Sequence, residues 1–434
     1  MRRNKISLLA LLFICFYACK NDDIGNQQEI LSSLAESPNV LLIIADDFGL
    51  DACPGYSLGS VKPNMPVLQS MINSGIRFNN VWANPTCTPT RSTILTGKYG
   101  VRTNVTKVGD ELSTSESSLQ QYIGSDYAKA VIGKWHLSSD ANHPLNFGLD
   151  YYAGLLTGAV QSYTNWTFTE NGQSSTSLEY TTTKFTDLAI DWTAQQSKPW
   201  FLWLAYNAPH TPFHLPPDSL HSQGALPSDA ASIAATPLPY FMAMCEAMDS
   251  EMGRLINSLS QEERDNTIII FIGDNGTTGQ VAQEYNSNRV KGKVYQGGIN
   301  VPMIIAGKGI TRKNEAEDAL INSTDLFATI STLTGTSVSS INDSKNFSHL
   351  LSNTGPFRDY AYSEIGYTAT TSDYTIRNST HKYIRFQDGT EALFDLSANP
   401  LEQPNLLGPI QPMLSNADSL VLDELKKKVI EIRQ

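Results

Sequence analysis

The sequence has few cysteines, few charged residues and no excess of basic side chains, and each shortage excludes a class of protein. Five cysteines in 434 residues are too few for a disulfide-held scaffold. Lys and Arg number 31 against 43 Asp and Glu, a formal net charge of -12, which argues against a nucleic-acid binder because such proteins usually carry a basic face. The composition also excludes a disordered chain, a collagen repeat and a coiled coil. A chain of this length buries a large core, so we expect one large domain with a smaller one, or two to three domains.

Residues 1–18 have the pattern of an export signal. Basic residues precede an apolar run over residues 8–17, which is too short for a membrane-spanning helix. A small residue then stands directly before Cys19, which resembles a bacterial lipoprotein signal. We therefore predict that Cys19 becomes the lipidated N-terminus, followed by a tether over residues 19–37. The alternative is an ordinary secretory signal with an incidental cysteine.

This signal also predicts a location. The protein would be an outer-membrane-anchored lipoprotein that faces the periplasm or the cell surface, and its lipid would be its only contact with the membrane.

The apolar pattern predicts the main fold. Runs typical of strands buried on both faces lie at residues 40–45, 128–132, 201–206, 267–272 and 302–306. Helical patterns lie between them, at residues 65–74, 184–195 and 240–259. Strands that alternate with helices predict an α/β fold with a large, mostly parallel central sheet flanked by helices. We assign this domain to residues 38–344.

The pattern changes from residue 345. Short strands are predicted at residues 374–377, 382–387 and 392–395, and a final helix at residues 417–432. Residues 345–434 therefore read as a smaller C-terminal α+β subdomain of antiparallel strands plus a helix. Within the first domain, residues 158–183 are rich in Ser, Thr, Asn and Gly and predict a surface insertion.

Four predicted strands end in charged or metal-capable side chains. These are Asp46 and Asp47 after the first strand, Lys134 and His136 after the second, His210 after the third, and Asp274 and Asn275 after the fourth. Ligands bind outside the carboxyl ends of strands in open α/β sheets, so four such ends indicate one composite site. The carboxylates and the amide are hard oxygen donors, which suit Ca²⁺ or Mg²⁺ better than Zn²⁺. Taken singly, each pair would read as a cap or a turn.

A cysteine stands at the start of a further predicted helix. Pro89 occupies a position where a helix begins, and Gly97 one where it ends. Cys87 then lies near a helix N-terminus, which favours an anion, and Arg91, one turn on, points back at it. The plain alternative is a buried free cysteine before a helix.

This segment, Cys-x-Pro-x-Arg followed by Leu-Thr-Gly, resembles the signature of the type I sulfatases, a formylglycine-dependent family of the alkaline phosphatase superfamily. Further motifs of that family follow in the expected order: Asp46-Asp47, Gly133-Lys134-Trp135-His136, Ala208-Pro209-His210-Thr211-Pro212, Asp274-Asn275-Gly276 and residues 291–298. Residues 382–384 and 393–407 resemble the closing subdomain of the family. Two positions depart from the pattern: Gln296 stands where Glu is usual, and Thr90 where Ser is commonest. The resemblance implies an alkaline-phosphatase-like fold.

The resemblance also implies the chemistry. In this family a separate maturation enzyme oxidises the motif cysteine to formylglycine, whose hydrate supplies the nucleophile. Modified Cys87 would ligate one divalent cation, Ca²⁺ rather than Mg²⁺, with Asp46, Asp47, Asp274 and Asn275.

The other residues take roles from the same resemblance. Arg91 would hold the oxygen of residue 87, Lys134 and Lys291 would bind sulfate oxygens, His210 would protonate the departing alcohol, and His136 would take a proton from the second hydroxyl so that sulfate leaves. The implied activity is hydrolysis of sulfate monoesters, with a sulfated saccharide as the substrate.

Two other functions stay open from the sequence. One is a phosphomonoester or phosphonate hydrolase of the same superfamily, and the other is a catalytically inactive glycan-binding surface lipoprotein. Outside the motifs, the aromatic residues Tyr163 and Trp166 are candidates for a sugar subsite, whereas Trp192, on a helical pattern, is assigned to the core. Residues interpreted as solvated, or left without a role, are Arg289, Lys293, His214, Cys53 and Cys245.

Overall fold

The computed structural model describes residues 37–366, 371–409 and 414–434. The predicted signal peptide, Cys19 and nearly all of the predicted tether lie outside these residues. Within them, no helix combines the length and the apolar character that crossing a membrane requires.

The strands in the described part of the chain are β1 (Asn39–Ala45), β2 (Ile76–Phe78), β3 (Val81–Trp82), β4 (Ala128–Lys134), β5 (Tyr151–Leu155), β6 (Trp166–Glu170), β7 (Gln173–Ser177), β8 (Trp200–Ala205), β9 (Thr267–Gly273), β10 (Met303–Gly307), β11 (Glu315–Glu317), β12 (Ile321–Asn322), β13 (Ser340–Ile341), β14 (Ser344–Lys345), β15 (Ala361–Gly366), β16 (Ser372–Arg377), β17 (His381–Arg385) and β18 (Glu391–Asp395).

The helices are α1 (Pro66–Ser74), α2 (Cys87–Thr96), α3 (Gly100–Thr103), α4 (Leu119–Tyr122), α5 (Thr181–Thr193), α6 (Ala230–Ala235), α7 (Pro237–Ser258), α8 (Gln261–Asp265), α9 (Gln296–Ile299), α10 (Asp325–Leu333) and α11 (Asn416–Arg433). Short 3₁₀ turns cover His143–Phe147, Asp218–Leu220 and Ser348–Leu351.

A ten-stranded sheet forms the centre of the molecule, in the order β11-β2-β10-β9-β1-β8-β4-β5-β6-β7. The five strands from β9 to β5 are parallel to one another. The predicted α/β fold with a mostly parallel sheet is therefore confirmed. The run predicted at residues 302–306 becomes β10, which lies antiparallel to β9.

Strand β1 shows why its apolar run is continuous. Leu41 and Ile43 face a core cluster shared with α1, α5 and α7. Val40, Leu42 and Ile44 face a second cluster, shared with α2 and α10. Because helices cover both faces, every side chain of the strand is buried, as the pattern of a central parallel strand predicts.

The stretch predicted to be a surface insertion, residues 158–183, is largely exposed, but it is more regular than a loop. Its centre forms the hairpin β6–β7, which pairs with β5 and extends the central sheet at one edge. Four of the five residues of β7 are exposed, which explains the polar composition that suggested a loop. Tyr163 and Trp166 pack in the core, so the structure does not support the sugar subsite expected from them.

The smaller C-terminal unit is a four-stranded antiparallel sheet in the order β15-β16-β17-β18. Helix α11 packs against β16 and β17, and apolar residues of this helix, such as Leu425, share a core cluster with Tyr383. The expected antiparallel sheet with a terminal helix is confirmed, although β15 was not predicted. The predicted boundary after residue 344 falls inside β14 and stays a prediction.

Candidate active site

Four adjacent parallel strands bring the sequence motifs to one edge of the sheet. β9, β1, β8 and β4 are neighbours in that order, so their carboxyl ends meet at the same edge. Asp274, Asp46 and His210 follow three of these ends, and Lys134 is the last residue of β4. The structure therefore brings together the side chains that the sequence placed at separate strand ends.

The deepest part of the site is a buried group of charges around Asp46. The ammonium of Lys134 contacts Oδ2 of Asp46, and both side chains are fully buried. Nη2 of Arg91 lies 2.8 Å from Oδ2 of Asp274 and 4.0 Å from Oδ2 of Asp46. Nη1 of Arg91 donates to the carbonyl oxygen of Lys134 over 2.6 Å. Arg91 thus binds the base of the carboxylate cluster, and no direct hydrogen bond to Cys87 is among these contacts.

Asp47 organises the more open side of the site. Lys291 donates to its carboxylate, with 2.6 Å between Nζ and Oδ1, and the amide of Asn275 donates to Oδ1 over 2.8 Å. Nε2 of His210 lies 3.8 Å from Oδ2 of Asp47. Lys291 and His210 keep 21% and 14% of their side chains exposed, whereas Lys134 keeps none. A ligand from solvent therefore meets Lys291 and His210 first.

Cys87 is the first residue of α2. The helix ends at Gly97, whose left-handed φ of 66° and N–H bond to the carbonyl of Thr93 give the expected stop. Sγ of Cys87 lies 3.2 Å from Nδ1 of His136. The cysteine side chain therefore stands at a helix N-terminus, between an imidazole and the carboxylate cluster.

Burial and neighbouring charges shift the pKa values at this site. Burial opposes the ionisation of Asp46, but nearby cations, Lys134 first among them, outweigh it and hold the pKa of that carboxyl below its usual range. Burial, together with the charge of Asp46, raises the pKa of Asp274. Burial raises the pKa of the Cys87 thiol. It also lowers the pKa of His136, with Lys134 adding to the effect, which favours the neutral imidazole.

The donor atoms fit a hard divalent cation. Ligand-capable atoms of Asp46, Cys87 and Asp274 lie within 4.8 Å of one another, as do those of Asp46, Asp47 and His210. Oδ1 of Asp46 and Oδ1 of Asn275 are buried and accept no hydrogen bond. Buried oxygens are normally satisfied, and free carboxylate and amide oxygens are what Ca²⁺ and Mg²⁺ bind. A thiolate is a soft ligand, so an oxygen at position 87 would complete the set better than sulfur.

The two departures from the family motif have local explanations. The hydroxyl of Thr90 accepts from the backbone N–H of Asn84 over 2.9 Å, a bond that Ser would also make. Oε1 of Gln296 accepts from Nε1 of the buried Trp82 over 2.9 Å, and this contact needs no negative charge.

Other residues differ from their sequence-based interpretation. The guanidinium of Arg289 stacks on Tyr295, 4.6 Å from the ring centre, so it is not simply solvated, whereas Lys293 is exposed as expected. The ring of His214 packs 4.1 Å from that of Tyr163, a structural position. Cys53 and Cys245 are buried free thiols.

The sequence interpretation missed residues that support the site. Thr277 accepts from the backbone N–H of Gly49 over 3.1 Å and donates to the buried carboxylate of Asp51 over 2.5 Å. These bonds join the loops after β1 and β9, which carry Asp47 and Asn275. Thr277 and Asp51 lie only a few residues after the motif residues Asn275 and Asp47, and this closeness was the one signal in the sequence. It was not sufficient, because Thr and Asp are common in loops.

The comparisons with known proteins agree with this geometry. The sulfatase family model matches residues 38–336, more than half of the chain. The uncharacterized sulfatase YdeN of Escherichia coli is 27% identical over 354 residues, which are 67% of this chain and 61% of that protein. The match thus spans less than two thirds of the YdeN length. The ulvan-active sulfatase of Formosa agariphila is 25% identical over 434 residues, covering 91% of this chain and 81% of that protein.

Solved structures share the architecture. The structure of BT4656 in complex with its substrate D-glucosamine-2-N,6-O-disulfate superimposes with a TM-score of 0.75 at 20% identity, covering 92% of this chain and 98% of that chain. At that identity the likeness establishes the fold. The matched family model, the motifs at the strand ends and this shared architecture lead to one conclusion: the chain belongs to the type I sulfatase family of the alkaline phosphatase superfamily.

Proposed function

We propose that this protein is a sulfatase that hydrolyses sulfate monoesters of a sulfated carbohydrate, using a formylglycine formed from Cys87 and one divalent cation. The observation that carries the proposal is the position of Cys87. It starts α2, it lies 3.2 Å from a nitrogen of His136, and its sulfur shares a cluster with Asp46 and Asp274. A buried structural cysteine has no need of such neighbours.

The charges of the site support an anionic substrate. Three cations, Lys134, Lys291 and Arg91, balance three carboxylates in formal charge. A divalent cation would therefore leave the site positive, which suits a sulfate ester although the chain as a whole is acidic. When bound, Ca²⁺ would supply Lewis-acid stabilisation of the sulfate oxygens. Asp46, Asp47, Asp274 and Asn275 would hold it.

The chain's own residues have separable tasks in this proposal. Hydrated formylglycine supplies a hydroxyl nucleophile at position 87. Lys291, on the open side, binds a sulfate oxygen, and the fully buried Lys134 stabilises the negative charge of the sulfate group from the interior of the site. His210 gives a proton to the departing alcohol, and the neutral imidazole of His136 accepts one from residue 87.

A carbohydrate substrate is supported by the relatives. BT4656 was solved with a sulfated glucosamine, and the Formosa relative is described as ulvan-active. A lipid on Cys19 would place the enzyme on the outer membrane, at the periplasmic or cell-surface side, where such polymers are available. Maturation of Cys87 would require a partner enzyme in the same cell.

The test is sulfate release by residues 19–434 produced together with a formylglycine-generating enzyme. Mass spectrometry of the peptide that contains Cys87 first establishes that the residue has been converted. The protein is then given a panel of defined sulfated saccharides and, in parallel, phosphate monoesters. The variant Cys87→Ala is expected to release no sulfate. Cys245→Ala, which removes another buried thiol that is not part of the carboxylate cluster, is the matched control and is expected to keep the activity.

Three results would overturn the proposal. Sulfate release by Cys87→Ala would remove the role of formylglycine. A preference for phosphate esters would favour the phosphomonoester hydrolase alternative. Binding of a sulfated saccharide without any release by converted protein would favour the inactive glycan-binding lipoprotein.

A further inference from the structure

The imidazole of His136 is confined by groups from two segments, the start of α2 and the loop after β5. Sγ of Cys87 lies 3.2 Å from Nδ1. The hydroxyl of Thr88 lies 3.3 Å from Nδ1 and 3.2 Å from Nε2. The second segment is the loop after β5, which also binds the main chain of His136: the backbone N–H of His136 donates to the carbonyl of Leu156 over 3.1 Å. His136 itself has a left-handed φ of 57°, so its main chain is held in an unusual conformation at this point.

Gly158 leaves room for the ring. A Cβ at this position would lie 2.3 Å from Cε1 and 2.4 Å from Nε2 of His136, far inside van der Waals contact. The φ of Gly158 is not in the left-handed region that favours glycine. The backbone would therefore accept alanine, and the space taken by His136 is what requires glycine here.

We propose that Gly158 and Thr88 are positioning residues that hold the ring of His136 against residue 87 for the sulfate-releasing step of the reaction. This inference rests on the proposed function. It extends that function by assigning two further residues to one step. Thr88 is a variable position of the Cys-x-Pro-x-Arg segment, and Gly158 lies outside the motifs, in the stretch predicted to be a surface insertion.

The step that depends on the ring position is balanced as follows. After the alcohol has left, residue 87 carries one sulfate ester and one hydroxyl on the same carbon. His136 takes the hydroxyl proton, the O–H electron pair becomes the second bond of the aldehyde carbonyl, and the carbon–oxygen bond to sulfate breaks with its electrons on the departing sulfate. Water then hydrates the aldehyde again.

If the imidazole of His136 is displaced, the release of sulfate becomes slower, whereas the earlier departure of the alcohol is unchanged. kcat/KM reports only the steps up to the departure of the alcohol, whereas kcat also includes the release of sulfate. We therefore expect Gly158→Ala to lower kcat and KM together, by about tenfold to a hundredfold, the range for misplacing a general base. kcat/KM stays within about twofold, since the groups that act earlier keep their places.

The experiment compares Gly158→Ala with wild type and with Gly355→Ala. Gly355 is a matched control because an added Cβ would lie 3.9 Å from the ring of His349, an ordinary contact. Rapid-quench mass spectrometry of the enzyme during turnover is expected to show residue 87 carrying sulfate in most of the Gly158→Ala molecules. A crystal structure of unconverted Gly158→Ala, with Cys87 as the thiol, is expected to show the imidazole moved away from Sγ.

Thr88 provides a second, independent variant. Thr88→Val removes the hydroxyl with little change of volume and is expected to lower kcat and KM together, while Thr88→Ser restores them. Equal losses of kcat and kcat/KM in Gly158→Ala and Thr88→Val, or a ring that stays in place in the crystal structure, would overturn the inference. Absence of sulfate release by converted wild type would instead overturn the proposed function, and the crystal structure would still decide whether Gly158 positions the ring.

Discussion

Arg91 and Asp274 form a fully buried ion pair, with 2.8 Å between Nη2 and Oδ2. The other end of the guanidinium donates to the carbonyl oxygen of Lys134. One planar group thus connects the loop after β9 to the end of β4, with a separate nitrogen directed at each partner. The sequence pattern expected Arg91 to act on residue 87, one turn away. In the structure its hydrogen bonds go instead to the carbonyl of Lys134 and to Asp274, at two strand ends of the site.

Removing this guanidinium is expected to destabilise the protein strongly. Arg91→Ala leaves Asp274 buried without its partner, which costs about 3–5 kcal/mol. Urea unfolding of the metal-free protein measures the loss. Glu431→Ala is the control, because Glu431 pairs with Lys428 where the two side chains are 48% and 38% exposed, and such a pair contributes about 1 kcal/mol or less. If both variants lost a similar free energy of unfolding, the buried pair would contribute no more to stability than an exposed one.

Ca²⁺ is expected to stabilise the protein through the carboxylate cluster. At a concentration about 100 times its Kd, a ligand that binds only the folded state adds about 2.7 kcal/mol to the free energy of unfolding. Thermal unfolding with Ca²⁺ or with a chelator measures the effect. Asp46→Asn is expected to abolish most of it, because it removes a charge at the centre of the cluster. Asp388→Asn, which changes an exposed carboxylate, keeps it. If Ca²⁺ raised the Tm of both variants equally, the cation would bind at a site other than the carboxylate cluster.

Lys291 and Lys293 lie in one segment, but replacing them is expected to have very different effects on kcat/KM. Lys291 contacts Asp47 at the open side of the site, whereas Lys293 is exposed. Lys291→Met is expected to lower kcat/KM for a sulfate ester by about a hundredfold or more, as for the loss of a group that stabilises developing charge. Lys293→Met is expected to change it by less than about twofold, as for other surface changes. Equal effects in steady-state assays would contradict the assignment of Lys291.

The sequence predicted elements whose pattern is local and missed those whose partners are distant. β1 was predictable because helices bury both of its faces. β15 was not, because it contains Ser363 and Glu364, which are buried through contacts made far along the chain. Ser363 donates to the carbonyl of Ala83 over 2.8 Å, and Glu364 pairs with Arg433 at 2.8 Å. The residue pattern within β15 alone does not indicate these distant partners.

In the site, too, some residues could be predicted from the sequence and others could not. The ligand-type residues stand at strand ends, where the order of strands in the sheet brings them together, so their convergence followed from the predicted fold. Gly158 could not be recognised in this way. Its requirement arises from the ring of His136, which belongs to the segment after the neighbouring strand β4, and a glycine in a polar stretch has many plainer explanations.

A pH-dependent contribution to stability is expected from Asp249, in α7. Its carboxylate accepts the backbone N–H groups of Val67 and Leu68, over 2.9 and 2.8 Å, at the start of α1. Burial nevertheless raises the pKa of Asp249 from 3.8 to about 6. Between these two pH values the folded state holds a proton that the unfolded state has lost. The free energy of unfolding therefore falls as the pH rises across this interval, by about 3 kcal/mol for a shift of this size.

Comparing wild type with Asp249→Asn isolates this contribution, since the amide does not titrate. Urea unfolding of both proteins over this pH interval is expected to show wild type losing stability relative to the variant as the pH rises. Asp388→Asn, at an exposed turn, serves as the control and is expected to follow wild type. A difference between wild type and Asp249→Asn that stays constant with pH would mean that the two backbone N–H groups keep the carboxylate ionised, because hydrogen bonds to the charged form would then outweigh burial.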